Sequence, residues 1–234
     1  MKMKKMVALL AAGVLCLGMS TTAFAAISPT KNNAEYIGEK GKNDFINSAG
    51  LEDFDSFTEA GQKEAKAALE VLNDSEKLAK ELQNAGYNTN GKDIVVMGAG
   101  MYEFGGYKKD ENGQYVFDKN GYPIWENKEL PEEGADIRFS LTGAAGNILD
   151  QAKDLKHGDT IYVMHYLANG TWQVMEATVE MVDGIPYVTV HMDSLSPVAF
   201  IKVMSNGEVV KLDPVTKKPV KAPTTKASPK TGEF

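Results

Sequence analysis

The chain is nearly without cysteine: Cys16 is the only one in 234 residues. One thiol cannot close an internal disulfide, so a disulfide-stapled small fold is excluded. Histidine is scarce, at three. His157, His165 and His191 show no i, i+4 helical spacing and have no cysteine partner, so they do not read as a zinc site. Basic charge is short as well. The 25 Lys and Arg face 32 Asp and Glu, giving a net charge of -7 and a pI near 5.1. That balance argues against a nucleic-acid binder, which carries a basic face. The apolar run Val7 to Leu17 falls well short of the ~20 residues that cross a bilayer. What is present, 43% hydrophobic and 24% charged residues, excludes collagen-like and wholly disordered chains.

The N-terminus has three parts. Lys2, Lys4 and Lys5 lie in a charged opening, and the uncharged run to Leu17 follows. Ala23-Phe24-Ala25 then supplies a small-x-small site with Ala26 after the cut. This is the pattern of a secretory signal peptide over 1–25. Leu15 ahead of Cys16 does not fit a lipoprotein site. Cleavage after Ala25 removes three lysines, leaving 22 basic residues against 32 acidic ones, and leaves no cysteine. An exported chain without disulfides needs a substantial hydrophobic core.

Residues 26–55 are polar and irregular. They predict a poorly ordered leader with a short helix near Lys42 to Ala49. A helical segment is expected over 56–86. Thr58 to Ala85 is rich in Ala, Glu, Lys and Leu, with Ser56 or Thr58 as cap and Gly86 as stop. Ala67, Val71, Leu78, Leu82 and Ala85 form its apolar stripe. Asp74 can cap a second helix after an interruption at Asn73.

From Asp93 the pattern becomes strand-like. Candidate strands are Ile94 to Met97, Ile137 to Leu141, Thr160 to Leu167, Trp172 to Met181, Ile185 to Met192 and Pro197 to Val203. Asn169-Gly170, Asp183-Gly184 and Ser194 to Pro197 punctuate them. The fold class expected over 87–204 is mainly β, an antiparallel β-sandwich behind the helical segment. Asn147 to Leu155 predicts a helical insert. Beyond Val203 the composition shifts, and Pro214, Pro219, Pro223 and Pro229 among Lys and Thr predict a disordered tether over 205–234.

Asp110-Glu111-Asn112-Gly113 and Asp118-Lys119-Asn120-Gly121 echo each other eight residues apart, among Tyr107, Tyr115, Phe117, Tyr122 and Trp125. The carboxylate spacing is not that of an EF-hand loop, and turns in a hairpin are the expectation, since Asn and Gly tolerate positive φ. Tyr115, Tyr122 and Trp125 are the candidate ligand-binding residues, as an aromatic sugar platform. No catalytic constellation is found. There is no G-x-S-x-G elbow for Ser194 or Ser196, and Glu103 stands where a dinucleotide loop starting at Gly98-Ala99-Gly100 needs its third glycine. No metal site and no cofactor are expected.

Ser228-Pro229-Lys230-Thr231-Gly232 resembles the L-P-x-T-G recognition pentapeptide that sortases process on surface proteins of Gram-positive bacteria. Ser-Pro-x-Thr-Gly variants occur in clostridia-like species. The resemblance implies that signal peptidase and sortase act on this chain. A sortase cysteine would attack the Thr231 carbonyl and release Gly232 onward, and an amine of the peptidoglycan would capture the acyl group. The family pattern continues into an apolar membrane segment and a basic tail, whereas this sequence stops at Phe234. That leaves a truncated chain or a secreted one. Residues 86 to 204 also resemble a β-sandwich module of such surface proteins, through Gly158 to Tyr166, Trp172-Gln173-Val174 and Ser194-Leu195-Ser196-Pro197-Val198-Ala199. No defined activity attaches to that module. The sequence therefore reads as a secreted, cell-wall or cell-surface protein, not an enzyme, with a structural or binding role and an unknown surface ligand. The alternative is a secreted carbohydrate-binding or hydrolytic protein without anchoring.

Overall fold

A computed structural model describes residues 33–38, 44–143 and 145–220. The signal-peptide residues Ala23, Ala25 and Ala26 and the motif Ser228 to Gly232 lie outside the described residues. The chain runs β1 (Ala34–Ile37), β2 (Asp44–Ala49), α1 (Glu59–Leu72), α2 (Ser75–Asn84), β3 (Asp93–Tyr107), β4 (Trp125–Asn127) and β5 (Ala135–Ser140). It continues through β6 (Thr160–Tyr166), β7 (Trp172–Thr178), β8 (Glu180–Val182), β9 (Ile185–Met192) and β10 (Pro197–Ser205). The last three strands are β11 (Glu208–Val209), β12 (Lys211–Leu212) and β13 (Pro219–Val220).

The architecture is mainly β, with antiparallel sheets in a sandwich-like arrangement. One sheet has the order β1-β5-β9-β8. The other has β2-β3-β10-β6-β7, with β4 added to β3 and β11 to β10. Alternation explains the layering, because neighbouring strand residues face opposite sides. Ile137, Phe139, Val188 and Val190 of the first sheet meet Phe104, Ile161, Val163 and Phe200 of the second in one core. The other face of the second sheet, with Val96, Tyr162, Met164 and Ile201, packs on Leu72, Leu78 and Leu82 of the helices. The β10–β3 register shifts between Phe200 and Ile201, and this bulge flips β3, so that Val96 and Ala99 both face the helices.

The helices begin where capping chemistry places them. Thr58 accepts the Gly61 N–H at 3.2 Å, and Asp74 accepts from Glu76 and Lys77 at 3.0 and 3.1 Å. The buried stripe of α1 is Ala65, Ala68 and Leu72 rather than Ala67 and Val71, while Leu78 and Leu82 of α2 are buried as expected. Ala85 lies past the helix and is exposed. The Asp183-Gly184 turn carries positive φ at both residues, the two-residue geometry that matches strand twist. The 147–155 insert contains only a short 3-10 turn at Asp150–Ala152.

Three expectations are corrected. The 26–55 segment is not merely a leader: β1 joins one sheet and β2 the other, and Tyr36 and Ile46 lie in the core. The expected helix near Lys42 to Ala49 is β2, whose alternate residues Ile46 and Ser48 are buried. The tether does not begin at 205. β12 and β13 form a hairpin, Leu212 is 1% exposed, and its N–H donates to Tyr162 Oη at 2.8 Å. Asp213 builds the intervening turn by accepting the Val215 and Thr216 N–H groups.

Candidate functional site

Past the N-terminus of α1, no described residue of the helices covers the helix-side face of the larger sheet. Three strands present it in register. Asn47 pairs with Glu103, Phe45 with Gly105, Gly105 with Asn127, and Tyr107 with Trp125. Because side chains alternate, Phe45, Asn47, Glu103, Tyr107, Trp125 and Asn127 share that face. Gly105 is bare at its centre because a Cβ there would lie 2.9 Å from the Trp125 ring and 2.2 Å from the Glu126 carbonyl oxygen.

At one end of this face, Phe45, Tyr107 and Trp125 form an aromatic shelf. The Phe45–Trp125 centroids are 5.0 Å apart, Phe45–Tyr107 5.6 Å and Tyr107–Trp125 5.9 Å, all tilted or edge-on. Tyr115 adds to it, edge-on to Tyr107 at 6.1 Å, with the Lys109 ammonium 5.0 Å over its ring. Tyr115 and Trp125 are thus brought to one cluster around Tyr107. Tyr122 stands apart from it, 68% exposed and in none of these ring pairs.

The repeated Asp-x-Asn-Gly turns carry the shelf. Asp110 accepts from Asn112 and Gln114, and Asp118 accepts from Asn120 and Tyr122. These backbone donors, the Tyr122 N–H first, hold the Asp118 carboxyl below the usual carboxylate range. Three main-chain segments spaced eight residues apart then bond in a ring. Lys108 N donates to Ile124 O, Ile124 N to Val116 O, and Val116 N to Lys108 O, at 2.8 to 2.9 Å. The echo seen in the sequence is therefore a small three-way knot of backbone that holds Tyr115 beside Tyr107.

At the other end lies a cleft of about 720 Å³. Its floor is the stretch of β3 from Met101 to Phe104, on which Met101 and Glu103 share the helix-side face, and its walls come from α1, the 127–132 loop and the Asp193 to Ser196 turn. Five carboxylates line it: Glu64, Glu103, Glu129, Glu132 and Asp193. Lys128 is the cation among the lining residues, and it is paired with Asp44 at 2.8 Å. Partial burial pushes the Glu64 carboxyl above the usual range. A hydrogen-bond chain joins cleft to shelf. Trp125 Nε1 donates to Asn127 Oδ1, and Asn127 Nδ2 donates to Glu103 Oε1 at 3.4 Å. Among the described residues no group of three or more His, Cys, Asp or Glu side chains is placed to hold a metal ion.

Two histidines border the cleft differently. His165 is buried, and burial holds its imidazole below the usual histidine range. Its Nε2 lies 2.8 Å from Ser196 Oγ, and the same hydroxyl contacts the Tyr166 carbonyl. His165 Nδ1 lies 3.4 Å from Gln173 Oε1, which only accepts, so the hydrogen of the neutral ring sits on Nδ1 and Nε2 faces Ser196 Oγ as an acceptor. This pair fastens the turn into β10. His191 is exposed. Its two ring nitrogens lie 2.9 Å from Asp136 Oδ1 and 2.9 Å from Glu133 O. The Asp136 bond above all raises its pKa. Gly134, at φ +77, is required beside it, because a Cβ would come within 2.7 Å of both His191 Nε2 and Asp193 Oδ1.

The cleft escapes reading along the sequence because Glu64, Glu103, Asn127 and Asp193 come from four separate elements. Phe45 escaped for a related reason, since it lies in the segment that reads as a leader. Compared with protein-family models, curated proteins and solved structures, the chain matches none.

Proposed function

We propose that this is an exported protein, attached to the Gram-positive cell wall through Ser228 to Gly232, whose folded body has a binding role at the cell surface. Sortase and signal peptidase are its processing enzymes, and peptidoglycan is its anchor. The observation that carries the binding role is the continuous face running from the aromatic shelf at Trp125 to the carboxylate-lined cleft at Glu103. A cleft of this volume falls within the ~300–1,000 Å³ range of ligand sites. The sequence supports the attachment: the pentapeptide follows the last described strand, β13, by a short Pro-, Lys- and Thr-containing stretch. An acyl-transfer enzyme needs such a segment clear of the body it is to join.

Cell fractionation tests this reading. The wild-type chain is expected in the wall fraction and the Thr231→Ala variant in the medium. Equal distribution of the two would remove the anchor. The unanchored alternative, a secreted carbohydrate-binding protein, is favoured by the same shelf and would then stand.

A further inference from the structure

We propose that the shelf and cleft bind an oligosaccharide that carries free amino groups, with pyranose rings stacking on the shelf and ammonium groups paired with the cleft carboxylates. This rests on reading that face as the binding site. Three features favour this ligand class.

The first is charge. Glu64, Glu103, Glu129, Glu132 and Asp193 line the cleft, and its one lysine is already engaged by Asp44. An anionic ligand entering here would strip water from carboxylates and meet like charge, and a neutral one returns only hydroxyl hydrogen bonds. An ammonium returns charge-assisted hydrogen bonds at the same positions.

The second is the shelf. Phe45, Tyr107 and Trp125 brace one another, and Tyr115 is 46% exposed. Aromatic rings fixed in this way offer apolar surface to the C–H face of a sugar with little ordering penalty. Asn127 joins the two parts, so the shelf and the nearest carboxylate, Glu103, are held in one geometry. A ligand with alternating ring faces and amines matches that alternation.

The third is the backbone. An extended basic peptide would dock best on a free strand edge. Along the floor of the cleft β3 has none to give. β2 pairs one side from Met101 to Gly106. On the other side Tyr102 N donates to Ser196 O, and Lys128 N donates to Phe104 O. The cleft presents side chains instead, which suits hydroxyls and amines.

Titration calorimetry on the purified full chain tests the inference with three probes: a β-1,4-linked glucosamine hexamer, its fully N-acetylated counterpart and hexalysine. The glucosamine hexamer is expected to bind saturably, with the N-acetylated hexamer and hexalysine each at least about tenfold weaker. Trp125→Ala and the Glu103→Gln, Glu129→Gln pair should each weaken the hexamer about tenfold, with thermal melts confirming that the variants fold. If Trp125→Ala does not fold, Tyr115→Ala on the exposed ring serves, with the same expected weakening. No saturable binding overturns the proposal. Equal binding of both hexamers overturns the amine requirement. Hexalysine binding as tightly, unaffected by Trp125→Ala, shows a site for basic peptides instead. Anchoring plays no part in this titration, so its failure leaves the attachment reading standing. Loss of anchoring with binding retained removes only the attachment.

Discussion

His165 Nε2 and Ser196 Oγ lie 2.8 Å apart at the wall of the cleft, and the same hydroxyl contacts the Tyr166 carbonyl. The bond joins the end of β6 to the turn that feeds β10, the two strands that pair at Val198 and His165. Ser196→Ala leaves the buried His165 Nε2 without its partner, which costs about 1–3 kcal/mol. Urea unfolding should show a lower midpoint at unchanged slope. An unchanged midpoint would contradict the role of this bond in fastening the turn.

The C-terminal hairpin belongs to the body. Leu212 is buried under the helices' core and its N–H is held by Tyr162. Leu212→Ala should destabilise the chain by about 2–5 kcal/mol, measured by denaturant unfolding. A change within error would mean that the tether begins before β12.

Glu64 tests whether the cleft is held at a stability penalty. Its pKa is raised by burial, so the folded state holds the Glu64 proton more tightly than the unfolded chain does. Stability from that difference is present at low pH and lost as pH rises through the folded value. Glu64→Gln should therefore raise the melting temperature at neutral pH. The gain should vanish near pH 4, around the ordinary glutamate value. A lower melting temperature at neutral pH would show that the carboxylate is stabilising.

His191 sets the opposite edge. Asp136 accepts from one ring nitrogen and the Glu133 carbonyl from the other, with Asp193 at 3.9 Å, and together they favour the imidazolium. The folded pKa lies above the unfolded one. The stabilisation is complete below about pH 6.5 and is lost as pH rises through the folded value. Melts of the His191→Gln variant across that range should be flatter than wild type. Parallel profiles would mean that the clasp carries no stability.

These particulars show where the sequence was readable. Thr58, Asp74 and Asp183-Gly184 act through neighbours a few residues away, so capping and turn chemistry located the helices and a hairpin directly. β1 and β2 were hidden because they are short. Glu35 and Ile37 of β1 face outward, and β2 is bounded by Asp44 and the Asn47 to Ala49 run, so each buries too few side chains for a clear alternation. Their strand character comes from pairing with β5 and β3, about a hundred and about fifty-five residues further on. The hairpin at 211–220 was masked by the prolines around one buried leucine. Tyr115 and Trp125 could be picked out as aromatics beside paired turns, but their partner Phe45 and the cleft carboxylates could not. Nothing in the sequence near Phe45 or Glu64 marks it as a neighbour of Trp125 or Asp193.

The most direct test of the account is the C-terminus of the chain as it leaves the cell. Wall digestion followed by mass spectrometry should find the terminal peptide ending at Thr231, joined through its carbonyl to a peptidoglycan amine, with Gly232 onward removed. A terminal peptide that runs unbroken through Thr231-Gly232, recovered from the medium, would contradict it.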